Sequence, residues 1–290
     1  MCGIVGLFLK NEDMAPRLGD MLTDMLITMT DRGPDSAGIA IYGGDAAGVK
    51  MTVQAEDPAA FDGLAAELGA PAEMRVVDTH AVLTLPRGAE AAATRLVEAR
   101  GLRVMGTGTR MEIYKETGLP ADVARRFGIR AMGGTHGIGH TRMATESAVT
   151  TLGAHPFSTA EDQCLVHNGS LSNHNQMRRR LARDGFLTRT ENDTEVGATY
   201  ISSRIAKGDS LGAALEGALK DLDGFFTFVT GTRDGFGVVR DPIACKPAVL
   251  AETPDYVAFG SEYRAFADLP GIASAKVWEP EPATVYFWER

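Results

Sequence analysis

An α+β fold of stacked sheet and helix layers is what this 290-residue sequence predicts. Three observations carry it. Strand-like runs stand toward both ends with the clearest helices grouped between them, which disfavours a doubly wound parallel sheet. The C-terminal part is β-rich, and Asp234-Gly235 marks a hairpin there. A hydrophobic content of 44% is enough for one large core or two small ones.

Taken in order, residues 3–9 read as a short buried strand. Residues 13–30 follow as a helix with Leu18, Met21, Leu22, Met25, Leu26 and Met29 on one side, a stripe that suits core packing. Asp31 to Ser36 form a turn by their Gly-Pro and Asp content, and residues 37–42 a second strand. From about residue 45 to 132 the character changes. Helices at 61–68, 89–100 and 120–127 alternate with strands at 75–79, 81–85, 102–105 and 111–114. A small α+β insert that contacts partners is the expectation. Gly106-Thr107-Gly108-Thr109 within it lacks the rest of a phosphate-loop pattern.

Residues 133–145, GGTHGIGHTRMAT, read as glycine-rich strand. His136 and His140 have a helical metal-ligand spacing, but Gly137 and Gly139 disfavour helix and no third ligand is usefully spaced, so no metal is expected. Residues 163–167 form a strand that ends in a turn at Asn168-Gly169-Ser170. A helix at 174–184 stops at Gly185, with Arg178, Arg179 and Arg180 on a solvated face. Asn192 caps a helix running to Ala206, with acids in its first turn, and Ser210 caps another at 211–222. Strands at 225–229, 236–240, 248–251 and 256–259 follow.

A net charge of −9 argues against a nucleic-acid surface. The apolar opening has no basic region before it, and nothing approaches the roughly 20 apolar residues of a membrane span. Three cysteines, Cys2, Cys164 and Cys245, form no disulfide or zinc pattern and suit a reducing compartment; the cytoplasm is expected. Cys164 and Cys245 read as core residues. No cysteine cluster and no nucleotide fingerprint are present, so no cofactor is expected in this chain.

Cys2 admits two readings from position alone. It is either a small hydrophobe opening a buried strand, or, once Met1 is removed, a nucleophile whose own α-amine is its base. A free thiol titrates near about 8.5 and an α-amine near about 7.7–8.0, so that amine is competent at neutral pH.

Five segments decide between them: CGIVG at 2–6, RGPDSAG at 32–38, GHTRMAT at 139–145, VHNGSLSN at 166–173 and NDTE at 192–195. In this order, with RDPIACKP at 240–247 and FGSE at 259–262 after them, they resemble the glutaminase domain of class II glutamine amidotransferases. That family includes the amide-hydrolysing domains of glucosamine-6-phosphate synthase, amidophosphoribosyltransferase and glutamate synthase. The resemblance implies a four-layer αββα N-terminal-nucleophile hydrolase fold over residues 2–290, interrupted by the insert. It also implies a task for each matched residue. Cys2 is the nucleophile; the Asn168 side chain and the Gly169 N–H form the oxyanion hole. Arg142 holds the glutamine α-carboxylate, Asp193 the α-ammonium, Arg32 supports the cysteine, and Thr145 and His155 line the pocket. Where the family carries an aromatic after the arginine, this chain has Met143.

The chemistry agrees with those tasks. Glutamine carries a carboxylate, an ammonium and a neutral amide, so a selective pocket wants a cation, an anion and a pair of donors for the developing oxyanion. Arginine can grip a carboxylate through two parallel hydrogen bonds, which lysine cannot. The function implied is hydrolysis of L-glutamine through a Cys2 thioester, with ammonia passed to a synthase subunit in a hetero-oligomer. Stand-alone subunits of glutamate-synthase-type assemblies, such as the A subunit of N-methylglutamate synthase, are the most similar; flavin and iron–sulfur centres would belong to the partners. The alternative is a retired amidotransferase kept as a structural or glutamine-sensing module.

Overall fold

The computed structural model describes residues 2–69, 72–144 and 148–290. The chain opens with β1 (Gly3–Leu9), α1 (Leu18–Ile27) and β2 (Ser36–Tyr42). Then come β3 (Val49–Gln54), α2 (Leu64–Leu68), β4 (Glu73–Val77), β5 (His80–Leu85), α3 (Glu90–Ala99) and β6 (Arg103–Gly108). The middle holds β7 (Met111–Thr117), α4 (Pro120–Arg126), β8 (His136–Arg142), β9 (Phe157–Ala160) and β10 (Gln163–Leu171). Helices α5 (His174–Arg183), α6 (Asp193–Ala206) and α7 (Leu211–Asp221) follow. The end is β11 (Gly224–Gly231), β12 (Gly235–Arg240), β13 (Val249–Glu252), β14 (Tyr256–Gly260), β15 (Lys276–Trp278) and β16 (Val285–Glu289).

Two antiparallel sheets form the body. One runs β15-β13-β14-β1-β8-β2-β7 and the other β16-β12-β11-β10-β9. Their inner faces meet through Ile4, Phe8, Tyr42 and Ile138 from the first and Val166, Val229, Phe236 and Val238 from the second. Gly6 lets the sheets close up: a Cβ there would lie 2.5 Å from the Phe236 ring. Outside the first sheet lie α1 and α4, with Leu22, Leu26 and Phe127 in their apolar layer; outside the second lie α5, α6 and α7. The result is the four-layer αββα arrangement.

The glycine-rich strand β8 follows from this layering. Side chains alternate faces along a strand. Gly137 and Gly139 face α1, where added Cβ atoms would lie 2.7 Å from Leu22 and 2.9 Å from Leu26. His136 and His140 face the other sheet instead. Their Nε2 atoms donate to the carbonyls of Thr232 (2.9 Å) and His167 (3.1 Å), so the pair ties the two sheets together.

Several sequence expectations need correction. The helix expected at 13–30 is a 3₁₀ turn, Glu12–Arg17, followed by α1. Pro16 lacks an N–H, and the α-helical ladder starts only after it. Asn168-Gly169-Ser170 is not a turn: β10 continues through it, paired with Thr227, Phe226 and Phe225 of β11. Cys164 is buried, but Cys245 is exposed. Strand β3 was not anticipated, although Val49, Met51 and Val53 alternate as a half-buried strand should.

The inserted segment has its own four-stranded antiparallel sheet, ordered β4-β5-β3-β6. With α2 and α3 this is a β-α-β-β-α-β unit of the ferredoxin-like kind. Its core joins Met51, Val53, Ala81 and Leu83 to Phe61, Leu64 and Val97. By contrast β7 pairs with β2 and α4 packs on α1, so residues 111–132 belong to the main body. Among the described residues no helix is long and apolar enough to cross a membrane.

Candidate active site

Cys2 immediately precedes β1, whose first residue Gly3 pairs with Thr141 of β8. Two side chains fix its backbone. The Arg32 Nε donates to the Cys2 carbonyl at 3.0 Å, and the Asn168 Nδ2 donates to the same oxygen at 3.2 Å. The thiol lies 4.0 Å from the Met143 carbonyl. Arg32 is buried and paired with Glu262 at 2.6 Å, which also binds Arg264 at 2.7 Å. The hydrogen bond from Arg32 holds the Glu262 carboxyl below the ordinary range, with Arg264 adding to it. The RGPDSAG segment does a second job: the Asp35 carboxylate accepts the Ala144 N–H at 2.8 Å and steadies the turn after Arg142.

Cys2 opens onto a cleft of about 940 Å³ between the ends of the two sheets. Arg142 ends β8 and lines it, buried, with Nη1 donating to the Ala148 carbonyl at 3.3 Å. Asn168 and Gly169 contribute from β10. Gly169 has φ +148° and a Cβ there would fall 1.9 Å from the Phe225 carbonyl oxygen, so only glycine fits. Helix α6 contributes its first turn to the cleft lining. Asn192 caps that helix by accepting the Thr194 N–H at 2.8 Å. Asp193 is held by the Leu171 N–H at 2.9 Å on Oδ2, which leaves Oδ1 3.8 Å from the His167 ring.

Beneath these groups lies a histidine cluster that sequence reasoning mostly missed. His155 Nε2 and His167 Nδ1 lie 2.8 and 3.0 Å from the Thr194 hydroxyl. That hydroxyl also donates to Asp193 Oδ1 at 3.4 Å, and its oxygen can accept from the rings. His140 stacks on His155 at 4.0 Å. Burial pushes His140 down to about 3 and His167 to about 4, and drives His155 well below its ordinary value. All three are neutral at pH 7. His167 and Thr194 stood inside the HNG and NDTE segments, which was the signal available for them.

Of the residues singled out from sequence, Cys2, Arg142, Asn168, Gly169, Asp193 and His155 all line this cleft. Arg32 acts from behind Cys2. Thr145 and Met1 lie outside the described residues. Met143 borders the cleft and is partly exposed. His136 and His140 serve the sheet interface. A cation, an anion and an amide donor thus surround one thiol, the set that a small zwitterion with an amide tail requires.

Comparison with known proteins gives three results. A family model described as a glutamine amidotransferase domain matches residues 140–268. Over 100% of this chain and 98% of the relative, the sequence is 63% identical to glutamine amidotransferase-like protein GlxB of Rhizobium meliloti (strain 1021). It is 32% identical, over 99% of both chains, to a putative glutamine amidotransferase of Methanothermobacter thermautotrophicus. Among solved structures, glutamine phosphoribosylpyrophosphate amidotransferase from B. subtilis superposes with a TM-score of 0.65 at 20% identity. That match covers 99% of this chain and 47% of the other, so the chain spans about half its length and the likeness is one of fold.

Proposed function

The chain belongs to the class II glutamine amidotransferases, enzymes of the N-terminal-nucleophile fold, and on that premise we propose that it hydrolyses L-glutamine through a thioester on Cys2. The observation that carries this reading is the double hold of Arg32 and Asn168 on the Cys2 carbonyl at the cleft floor. With Met1 removed, the Cys2 amine takes the thiol proton and the sulfur attacks the side-chain carbonyl of glutamine. The oxyanion is met by the Asn168 amide and the Gly169 N–H. Collapse breaks the C–N bond, the amine returns the proton to the leaving nitrogen, and ammonia departs. Water, losing its proton to the same amine, then cleaves the thioester to glutamate and restores the thiol. Arg142 binds the α-carboxylate and Asp193 the α-ammonium, with His155 and Thr145 lining the pocket.

Ammonia released into water at neutral pH is protonated and no longer a nucleophile. The product is therefore passed to an ammonia-consuming synthase subunit in a hetero-oligomer, of the glutamate-synthase or N-methylglutamate-synthase kind. Any flavin or iron–sulfur centre resides in that partner. The test has two arms. Purified with its partner, the protein releases ammonia from glutamine, and Cys2→Ala abolishes the release; glutamine binding without turnover in any complex makes it a sensing subunit instead. Intact mass of the active protein shows a chain beginning at Cys2; a retained Met1 excludes the amine as base.

A further inference from the structure

One wall of the cleft is the segment 148–156, which contributes Ala148, Leu152, Gly153 and His155. It wraps Arg142: Ala148 accepts from Nη1, and a Cβ on Gly153 would lie 3.3 Å from the same nitrogen. The segment belongs to no sheet, and its backbone hydrogen bonds, from the Ala154 N–H to the Thr150 and Thr151 carbonyls, lie within it.

We propose that Lys115 is a positioning residue for glutamine binding: its ammonium, locked onto three carbonyls of the 152–156 wall, fixes the seat of Arg142 and the place of His155. This rests on the glutamine reading of the cleft. Lys115 Nζ donates to Leu152 O at 3.3 Å, Ala154 O at 2.8 Å and Pro156 O at 3.2 Å. An ammonium has three protons, and each finds an acceptor. The Phe157 ring lies 4.6 Å from Nζ and adds a cation–π contact. Lys115 is only 4% exposed.

Such a site is costly to build. Burial pushes the Lys115 ammonium down to about 7, and Glu195, itself buried on α6, is the charge that counters this. A methyl-ended side chain would fill the same space without that penalty, so the charge is there for what it grips. Its neighbour in sequence acts on the same wall from the other face of β7. Glu116 accepts a hydrogen bond from Thr151 Oγ1 and is itself fixed by Thr79 Oγ1 and the Thr117 N–H. Consecutive residues of one edge strand therefore clamp the wall from both sides.

The test is Lys115→Met in the full chain, read two ways. Hydrogen exchange of the 148–157 peptide needs no substrate and is expected to accelerate about tenfold or more, with α7 unchanged. Glutamine KM is expected to rise about tenfold with kcat within about threefold. Unchanged exchange at 148–157, or faster exchange with an unchanged KM, overturns the proposal. Faster exchange in a variant whose parent shows no glutamine hydrolysis supports the clamp and counts against the glutamine reading alone. Should Lys115→Met fail to fold, Lys115→Gln, with two donors left for the same carbonyls, is expected to give smaller shifts in both readouts; wild-type values in both overturn the proposal.

Discussion

Asn168 and Asp193 are the two residues whose roles separate most cleanly by kinetics. In the resting protein the Asn168 amide donates to the Cys2 carbonyl, so it stands beside the nucleophile before any substrate arrives. In the proposed mechanism its donor matters most when the oxyanion forms, which is a transition-state event. Asn168→Ala is expected to lower kcat by about 10²–10³ with KM within a few fold. Equal turnover in variant and wild type would remove the oxyanion role. In the proposed function Asp193 instead meets a charge already present on the substrate. Because its Oδ2 also accepts the Leu171 N–H, Asp193→Asn keeps that structural bond while deleting the charge. Glutamine KM should rise about tenfold or more at unchanged melting temperature. A fall in melting temperature with KM unaltered would make Asp193 a helix-start residue and nothing else.

One buried carboxylate organises the turn through which the ferredoxin-like unit re-enters the main body. Asp162, buried between β9 and β10, accepts the N–H of Thr109, Arg110 and Met111 and the Thr109 hydroxyl, all within 2.8–3.0 Å. Gly108 makes room for it, since a Cβ there would touch its Oδ1 at 2.1 Å. Asp162→Ala strands those donors and is expected to cost ~2–4 kcal/mol in urea unfolding, with faster exchange first at 109–111. Uniform destabilisation without local exchange would mean that the turn is held by its flanking strands. None of this was legible in sequence, because the bond joins residues some 50 positions apart and Asp-rich turns look alike. Local pattern did reveal α6 and α7, whose Asn192 and Ser210 caps are as expected. It failed where a long-range partner decides the outcome. Pairing with β11 keeps Asn168–Ser170 in a strand that its Asn-Gly-Ser sequence argued against. The cleft residues were found by the resemblance of short segments, whereas Lys115 and the contacts among His140, His155 and His167 depend on packing that no spacing in the chain announces.

Burial of imidazoles sets how the molecule as a whole responds to acid. His80, His136, His140, His155 and His167 are all buried, out of six histidines in the chain. Burial first, in every case, depresses them: to about 3 for His136 and His140, and about 4 for His80 and His167. In the unfolded chain each titrates near about 6.5. Between those values the unfolded state binds protons that the folded state refuses. Their contribution is therefore fully present above about pH 6.5 and is lost as pH falls toward 4. Each such histidine favours the unfolded chain as pH falls through this window, and five buried rings add in the same direction. Two of the five tie the sheets together at His136 and His140, so opening the αββα stack is the way to let water reach them. The expected outcome is a cooperative acid unfolding with a midpoint between about pH 4 and 6 by far-UV circular dichroism. Added salt should move that midpoint little, because the rings are neutral in the folded state and burial, not a neighbouring charge, is the first cause of their depression. A protein that kept its native signal below about pH 3.5 would show that these rings take up protons without leaving the core, and that the sheet interface admits water in the folded state.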